Sequence, residues 1–248
     1  MAEDHYSRVL EEEPEGESRV RVWKMFDRIA PTYDLVNRLL SFNLDVRWRK
    51  HVHSHLPPGG GLRLLDLATG TGDQVISMIR AGGIRSAVGV DMSTEMLARG
   101  REKVAAAGLT PIISMEDGDA TDLQYDDASF NAVTISFGIR NVVHVDRALS
   151  EMRRILKPGG RAVILEFSLP ANPVVRFGHL FYLRYVLPLV GGLVSGDWGA
   201  YRYLNTTIEA FPYGDAFTEM MREAGFEKAT AYPVTFGIAT IYVGEALP

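Results

Sequence analysis

Arg140 and Asn141 stand just behind an apolar run, Ala132 to Phe137, in the stretch "NAVTISFGIRN". A guanidinium is always cationic and offers five donors, and a carboxamide both donates and accepts. Delivered by a buried strand to its own carboxyl end, the pair has the chemistry to hold an oxygen that carries negative charge. Read structurally, the same Arg140 closes a helix C-terminus or pairs with Asp146.

A second constellation lies in "LLDLATGTGD", which reads as a strand holding Asp66, a turn with Gly70, Thr71 and Gly72, and a helix start. Glycines in such a turn let the backbone approach a ligand closely. An acid about 20 residues further on, here Asp91 followed by Met92, is placed for the hydroxyls of a ribose. The bland alternative is a tight strand–helix turn. "GDA" adds Asp119 and Ala120, which either bracket an adenine or form a turn after Gly118. NAD fits less well. Val75 replaces the third glycine of the dinucleotide fingerprint, and Asp73 brings negative charge to the helix N-terminus that a pyrophosphate would need. S-adenosylmethionine has no phosphate and carries a cationic sulfonium, which suits Asp66 and Asp73. The sequence holds no GxxxxGK[ST], so an ATPase reading fails. Together the loops favour a class I methyltransferase over a noncatalytic nucleotide-binding module.

The elements that must position these residues alternate. "LRLLDLA", "SAVGVD", "PIISMEDGDA", "NAVTISFG" and "RAVILEFS" are short apolar strands. Helices separate them, one capped by Ser93 with Glu95 in its first turn, another from Asp146 to Leu156 ended by "KPGG". This rhythm predicts a Rossmann-like, doubly wound, mostly parallel sheet. "ATAYPVTFGIATIYVGE" adds an antiparallel C-terminal hairpin around Phe236-Gly237, giving an α/β fold with a seven-stranded sheet and N-terminal helices. The expected organisation is an acidic disordered tail over residues 1–20, a helical cap over 21–61, and a methyltransferase domain over 62–248 with an insertion at 169–212.

Composition narrows the classes. The net charge of −5 comes from 26 basic and 31 acidic residues, and the first twenty residues supply the excess with seven acids against two arginines. The balanced remainder offers no cationic field for nucleic acid. Without cysteine there is no disulfide, thiolate metal site or Cys nucleophile. A charged tail stands where a signal peptide would need an apolar core. "HVHSH" puts His51 and His55 on one helix face without a carboxylate pair, so no metal site is expected. Arg19 to His55 carries eight Lys/Arg against three Asp, a solvated face or an attraction to anionic lipid.

The chain resembles the demethylmenaquinone/ubiquinone-biosynthesis C-methyltransferases, from Val22 to Gly244. "FDRIAPTYDLVNRLLSF", "DLATGTGD", "TISFGIRN", "RRILKPGGRAVILEFS" and "YRYLNTTIEAFP" carry the resemblance. It implies methyl transfer from S-adenosylmethionine to a ring carbon of a polyprenylated quinol. It places Thr71, Asp91, Asp119, Ala120 and Ser136 on the cofactor, Tyr33 over it, and Arg140 and Asn141 at the acceptor ring. There Arg140 would stabilise the phenolate that makes the ring carbon nucleophilic. The acceptor would be 2-demethylmenaquinol or the methoxybenzoquinol of ubiquinone synthesis. The family usually has a His four residues after the Ser of "LSF"; this chain has Asp45.

"VVRFGHLFYLRYVLPLVGGLV" (Val174 to Val194) has the apolarity of a membrane span, but Arg176, His179, Arg184, Pro188 and its glycines argue against one. A core helix is one reading. The preferred one is an amphipathic lid that lines a prenyl tunnel and touches the membrane surface. The expected setting is cytoplasmic, peripheral at the inner face of the membrane, with a homodimer among the expectations.

Overall fold

The computed structural model describes residues 15–247, with side chains from residue 22 onward. Three helices come first: α1 (Glu15–Ile29), α2 (Tyr33–Leu40) and α3 (Leu44–His53). The expected acidic tail lies largely outside the described residues, and from Glu15 the chain is already helical.

The sheet follows as β1 (Leu62–Leu67), β2 (Ile84–Asp91), β3 (Ile113–Asp117), β4 (Phe130–Ser136) and β5 (Leu156–Phe167), with β6 (Lys228–Val234) and β7 (Ala239–Glu245) closing it. Helices α4 (Asp73–Ala81), α5 (Thr94–Ala106) and α6 (Val145–Ile155) cross between parallel strands. The seven strands run in the order β3-β2-β1-β4-β5-β7-β6. Pairing is parallel through β5, and β7 is antiparallel to both of its neighbours. The chain reverses its direction of travel across the sheet between β1 and β4, the switch point where such sheets bind ligands.

Alternation along β1 explains the layering. Leu65 and Leu67 join one core with Met152 of α6 and with Phe217 of α10 (Asp215–Glu223), while Leu64 joins the opposite core with Trp48, Val75 and Leu97. Helix α6 ends at Ile155, within a residue of the expected stop, but "KPGG" itself belongs to the following strand, which starts before "RAVILEFS". It lies inside β5, whose pairing with β4 shifts register between Phe130 and Ala132, with Gly159 at a φ of 77°.

A third apolar cluster sits beyond the carboxyl ends of the parallel strands. It joins Met25, Ile29 and Val36 of the N-terminal helices to Leu183, Leu187 and Tyr201 of the insertion. The insertion consists of α7 (Pro173–Phe181), a π-type turn (Tyr182–Val186), α8 (Leu187–Ser195) and α9 (Trp198–Ala210). Asn172 caps α7 by accepting from the Val174 and Val175 amides. Pro188 would collide with the carbonyl four residues earlier in an ideal helix, and the wider turn before it accommodates the ring. Gly191 and Gly192 let α9 approach: a Cβ at either would lie 2.4 Å from Tyr201 or Trp198.

Candidate active site

At the end of β4 the backbone does something costly. Phe137 takes a φ of 59°, and Ala68, at the end of neighbouring β1, a φ of 46°. Such conformations cost about 1–3 kcal/mol in a non-glycine residue, and they cluster at functional sites. Gly138 then passes so close to β1 that a Cβ on it would lie 2.5 Å from Ala68 Cβ. A single 3-10 turn, Ile139–Asn141, follows and presents Arg140 and Asn141 above the sheet.

Arg140 is 5 % exposed, and it forms an ion pair with Glu166. Its Nη1 donates to Glu166 Oε1 at 2.7 Å and to the Phe137 carbonyl at 2.6 Å. Glu166, fully buried at the end of β5, also accepts from the Phe167 amide. Burial pushes its carboxyl above the ordinary value, while Arg140 pulls it down. Asn141 Oδ1 is buried without a hydrogen-bond partner.

Two cavities meet here. The first, about 350 Å³, is lined largely by apolar side chains of the N-terminal helices and the insertion, with Tyr33, Asp45, Arg49, Arg140 and Asn141 among its polar groups. The second opens at the ends of β1, β2 and β4 and is lined by Gly70, Asp91, Met92, Asp119, Ala120 and Ser136, with Trp23 and Phe26 of α1 beside them. Phe26, Tyr33, Phe137 and Asn141 line both. Two guanidiniums flank the wall: Arg49 lies 5.5 Å over the Phe137 ring and Arg140 5.4 Å over the Phe167 ring. Burial raises the Tyr33 phenol above its ordinary pKa, and the charges of Arg49 and Arg140 oppose this.

The residues of the second cavity fit a nucleoside. Asp91 Oδ2 accepts from the Gly70 amide at 2.8 Å and Oδ1 from the Ser93 amide at 2.9 Å, which fixes the carboxylate and leaves lone pairs for a diol. An added Cβ at Gly70 would meet nothing within 4 Å; it would project into the space the cavity provides. Asp119 Oδ1 accepts from Thr121, so this carboxylate both lines the cavity and holds its own turn.

Three expected cofactor residues do not line that cavity. Asp66 is fully buried beneath it, accepts from Thr69 and Thr134, and has its pKa pushed up to about 6 by burial. Thr71 turns away, donating to Asp34 Oδ1 at 2.6 Å and receiving a bond from Lys103. Gly72 serves the turn, in the left-handed conformation that starts α4. The role expected for Asp73 also changes. It forms salt bridges to Lys103 and Arg38. Burial alone would raise its carboxyl, but Lys103, with Arg49 and Arg38, holds it below the ordinary value. Its charge is therefore matched, and it no longer argues against a pyrophosphate.

His51 and His55 stack at 5.4 Å, and among the described residues no three His, Asp or Glu converge as metal ligands. Glu166, Arg49, Asn37 and His179 were not evident as site residues. For Glu166 the available signal was a charge at the end of "RAVILE", where an apolar strand should have none.

Sheet order, strained strand end, glycine turn and Asp91 together define the Rossmann-like fold of the class I methyltransferases. Solved structures agree on the fold. An S-adenosylmethionine-dependent methyltransferase from Aquifex aeolicus superimposes with a TM-score of 0.56 at 14 % identity, over 76 % of this chain and 84 % of that one. The [4+2]-cyclase SpnF does so with a TM-score of 0.62 at 16 % identity, over 91 % and 95 %, so the fold alone does not fix the reaction. The sequence is more specific: residues 14–246 match the ubiE/COQ5 methyltransferase family, and the chain belongs to it. It is 47 % identical to a ubiquinone/menaquinone biosynthesis C-methyltransferase UbiE of Geobacter sulfurreducens, over 91 % of this chain and 88 % of that protein. It is 45 % identical to a demethylmenaquinone methyltransferase of Thermus thermophilus, over 89 % and 99 %.

Proposed function

We propose that the protein methylates a ring carbon of a polyprenylated quinol, with 2-demethylmenaquinol as the acceptor. One observation carries the reading: a large apolar cavity and a nucleoside-type cavity share the wall Tyr33, Phe137 and Asn141, with Arg140 beside it. S-adenosylmethionine, held by Asp91, Met92, Asp119, Ala120 and the Gly70 backbone, supplies an electrophilic methyl group. Arg140, clamped by Glu166 and the Phe137 carbonyl, stabilises the phenolate form of the quinol hydroxyl next to the reacting carbon. Asn141 orients the ring. The clamp means that little reorganisation is needed as charge develops.

The name of the Geobacter sulfurreducens relative covers ubiquinone as well as menaquinone biosynthesis, which supports a second acceptor, for which we propose the polyprenyl methoxybenzoquinol. One preparation assayed against both quinols tests the reading. Methylation of the naphthoquinol supports it; turnover of neither quinol, with methylation of a soluble phenol or amine, overturns it.

The insertion supports work at a lipid surface. Pro173–Ser195 is a helix of 23 residues whose most apolar window is 28 % buried. One side, with Val175, Tyr182, Leu183 and Leu187, lines the large cavity. The other exposes Val174, Phe177, Phe181, Tyr185, Leu189 and Leu193, beside exposed Leu39 and Phe42. Tyr182 ties the two helical segments together by donating to the Leu40 carbonyl at 2.6 Å. We place this face against the inner leaflet of the cytoplasmic membrane, from which a prenyl tail reaches the cavity. Phe177→Glu with Leu193→Glu should abolish sedimentation with anionic lipid vesicles and spare cofactor binding; unchanged sedimentation rejects the placement.

A further inference from the structure

Arg140 cannot take the proton that the quinol hydroxyl must lose, because a guanidinium is never deprotonated in a protein. We propose that Asp45 is the catalytic base, its carboxylate receiving that proton; the inference rests on the quinol methyltransferase reading above.

Among the described residues lining the large cavity, Asp45 is the one carboxylate. Glu166 touches Arg140 but does not line the cavity, and Asp91 and Asp119 line the other one. Asp45 sits in the first turn of α3 and is only 5 % exposed. A carboxylate this buried is costly unless it is paired, and here the pairing is loose. Ser41 donates to Oδ1 at 2.6 Å, but Oδ2 faces Arg49 Nε across 3.9 Å, too long for a hydrogen bond. That Nε is itself buried without a hydrogen-bond partner. A hydroxyl placed against Oδ2 would give the carboxylate a donor and, once ionised, the guanidinium an acceptor.

Asp45, Arg49, Tyr33 and Arg140 all line this cavity, Asp45 faces Arg49, and the charges of Arg49 and Arg140 both act on the Tyr33 phenol. His179 on α7 also lines the cavity and is the other candidate base; burial lowers its pKa and the charge of Glu209 raises it, and the variant His179→Gln below separates the two. Tyr33 is held in its phenol form by burial.

The step balances as follows. The quinol O–H bond breaks and its proton passes to Asp45. The ring carbon forms a bond to the methyl group as the S–CH3 bond breaks, its electron pair going to sulfur. The ring C–H proton then leaves to water, the ring oxygen recovers the proton from Asp45, and aromaticity returns. One proton is released overall.

The test compares single-turnover methyl transfer, pH profile, cofactor binding and melting temperature for the wild type, Asp45→Asn, Asp45→Glu, Asp45→His and His179→Gln. Asp45→Asn keeps the shape and the Ser41 hydrogen bond, and should slow methyl transfer by about 100-fold or more, as loss of a general base does. Cofactor affinity and melting temperature should hold. Asp45→Glu should recover part of the rate. In Asp45→His the acid limb should move up towards the ordinary imidazole value of about 6.5. Arg49, which faces this carboxylate, and Tyr33, Arg140 and His179, which line the same cavity, are unchanged between the three Asp45 variants, so a moved limb belongs to position 45. A wild-type rate and profile in Asp45→Asn overturns the proposal, and so does a limb that moves only in His179→Gln. A wild type that turns over neither quinol refutes instead the functional reading on which it rests.

Discussion

Arg140 and Glu166 form an ion pair of 2.7 Å with side chains only 6 % and 1 % exposed, joining the turn after β4 to the last residues of β5. The pair makes two roles of Arg140 inseparable in a simple truncation. Arg140→Ala strands a buried carboxylate, which costs about 3–5 kcal/mol, and a lowered melting temperature is therefore expected alongside lost catalysis. Replacing both partners by apolar residues of similar volume is commonly neutral or stabilising. Arg140→Met with Glu166→Leu should thus melt near the wild type and still transfer methyl groups about 100-fold more slowly or worse. A stable double variant with full turnover would remove Arg140 from the chemistry.

Asp91 organises the glycine turn as well as facing the cavity. Asp91→Ala leaves the Gly70 and Ser93 amides without their acceptor and removes the group placed for the ribose diol. Loss of such partners costs on the order of 1–3 kcal/mol, so calorimetric titration should show S-adenosylmethionine affinity reduced by roughly tenfold to a hundredfold. Undiminished affinity in a folded variant would reject the assignment.

Gly138→Ala tests the close approach to β1. The new Cβ must displace Ala68 or move the 3-10 turn, and overpacking of this kind costs about 1–3 kcal/mol. Stability and kcat should fall together, because the turn that shifts is the one carrying Arg140. A drop in melting temperature with kcat intact would show that the turn absorbs the methyl group without moving Arg140.

Asp66 gives a pH signature. Its pKa rises from an ordinary 3.8 to about 6 in the fold, so the folded state binds its proton more tightly than the unfolded chain does. The associated stability is fully present below the unfolded value and is lost as pH rises through about 6. On the order of 2–3 kcal/mol rides on this group. Denaturant titrations between pH 4 and pH 7 should show that contribution shrinking in the wild type, and Asp66→Asn should flatten the curve. Equal slopes in the two proteins would show that Asp66 titrates alike in both states.

The sheet and the glycine turn were legible in the sequence because each is a local pattern: apolar runs at strand length, Gly70 and Gly72 between strand and helix, Asp91 at the next strand end. What the sequence did not disclose is contact between distant segments. Glu166 belongs to the site only because β4 and β5 are parallel neighbours in a register that aligns Ser136 with Leu165. Thr71 and Asp73 read as ligand groups until Asp34, Lys103 and Arg38 converge on them from two other helices. "KPGG" follows the helix stop it signals, at Ile155, but a register shift absorbs it within β5, which its composition does not announce. Asp45 stood out only as a departure from the family pattern; its burial in the cavity comes from the packing of α3 against the sheet.

The wall that the two cavities share has a thermodynamic consequence. Tyr33, Phe137 and Asn141 cannot adjust to one guest without altering the surface offered to the other. The two affinities are then linked, and linkage is reciprocal: the factor by which one ligand changes the binding of its partner is the factor the partner returns. A guest in the large cavity would thereby change how firmly the methyl donor is held, by the same factor and with the same sign as the donor changes the hold on that guest.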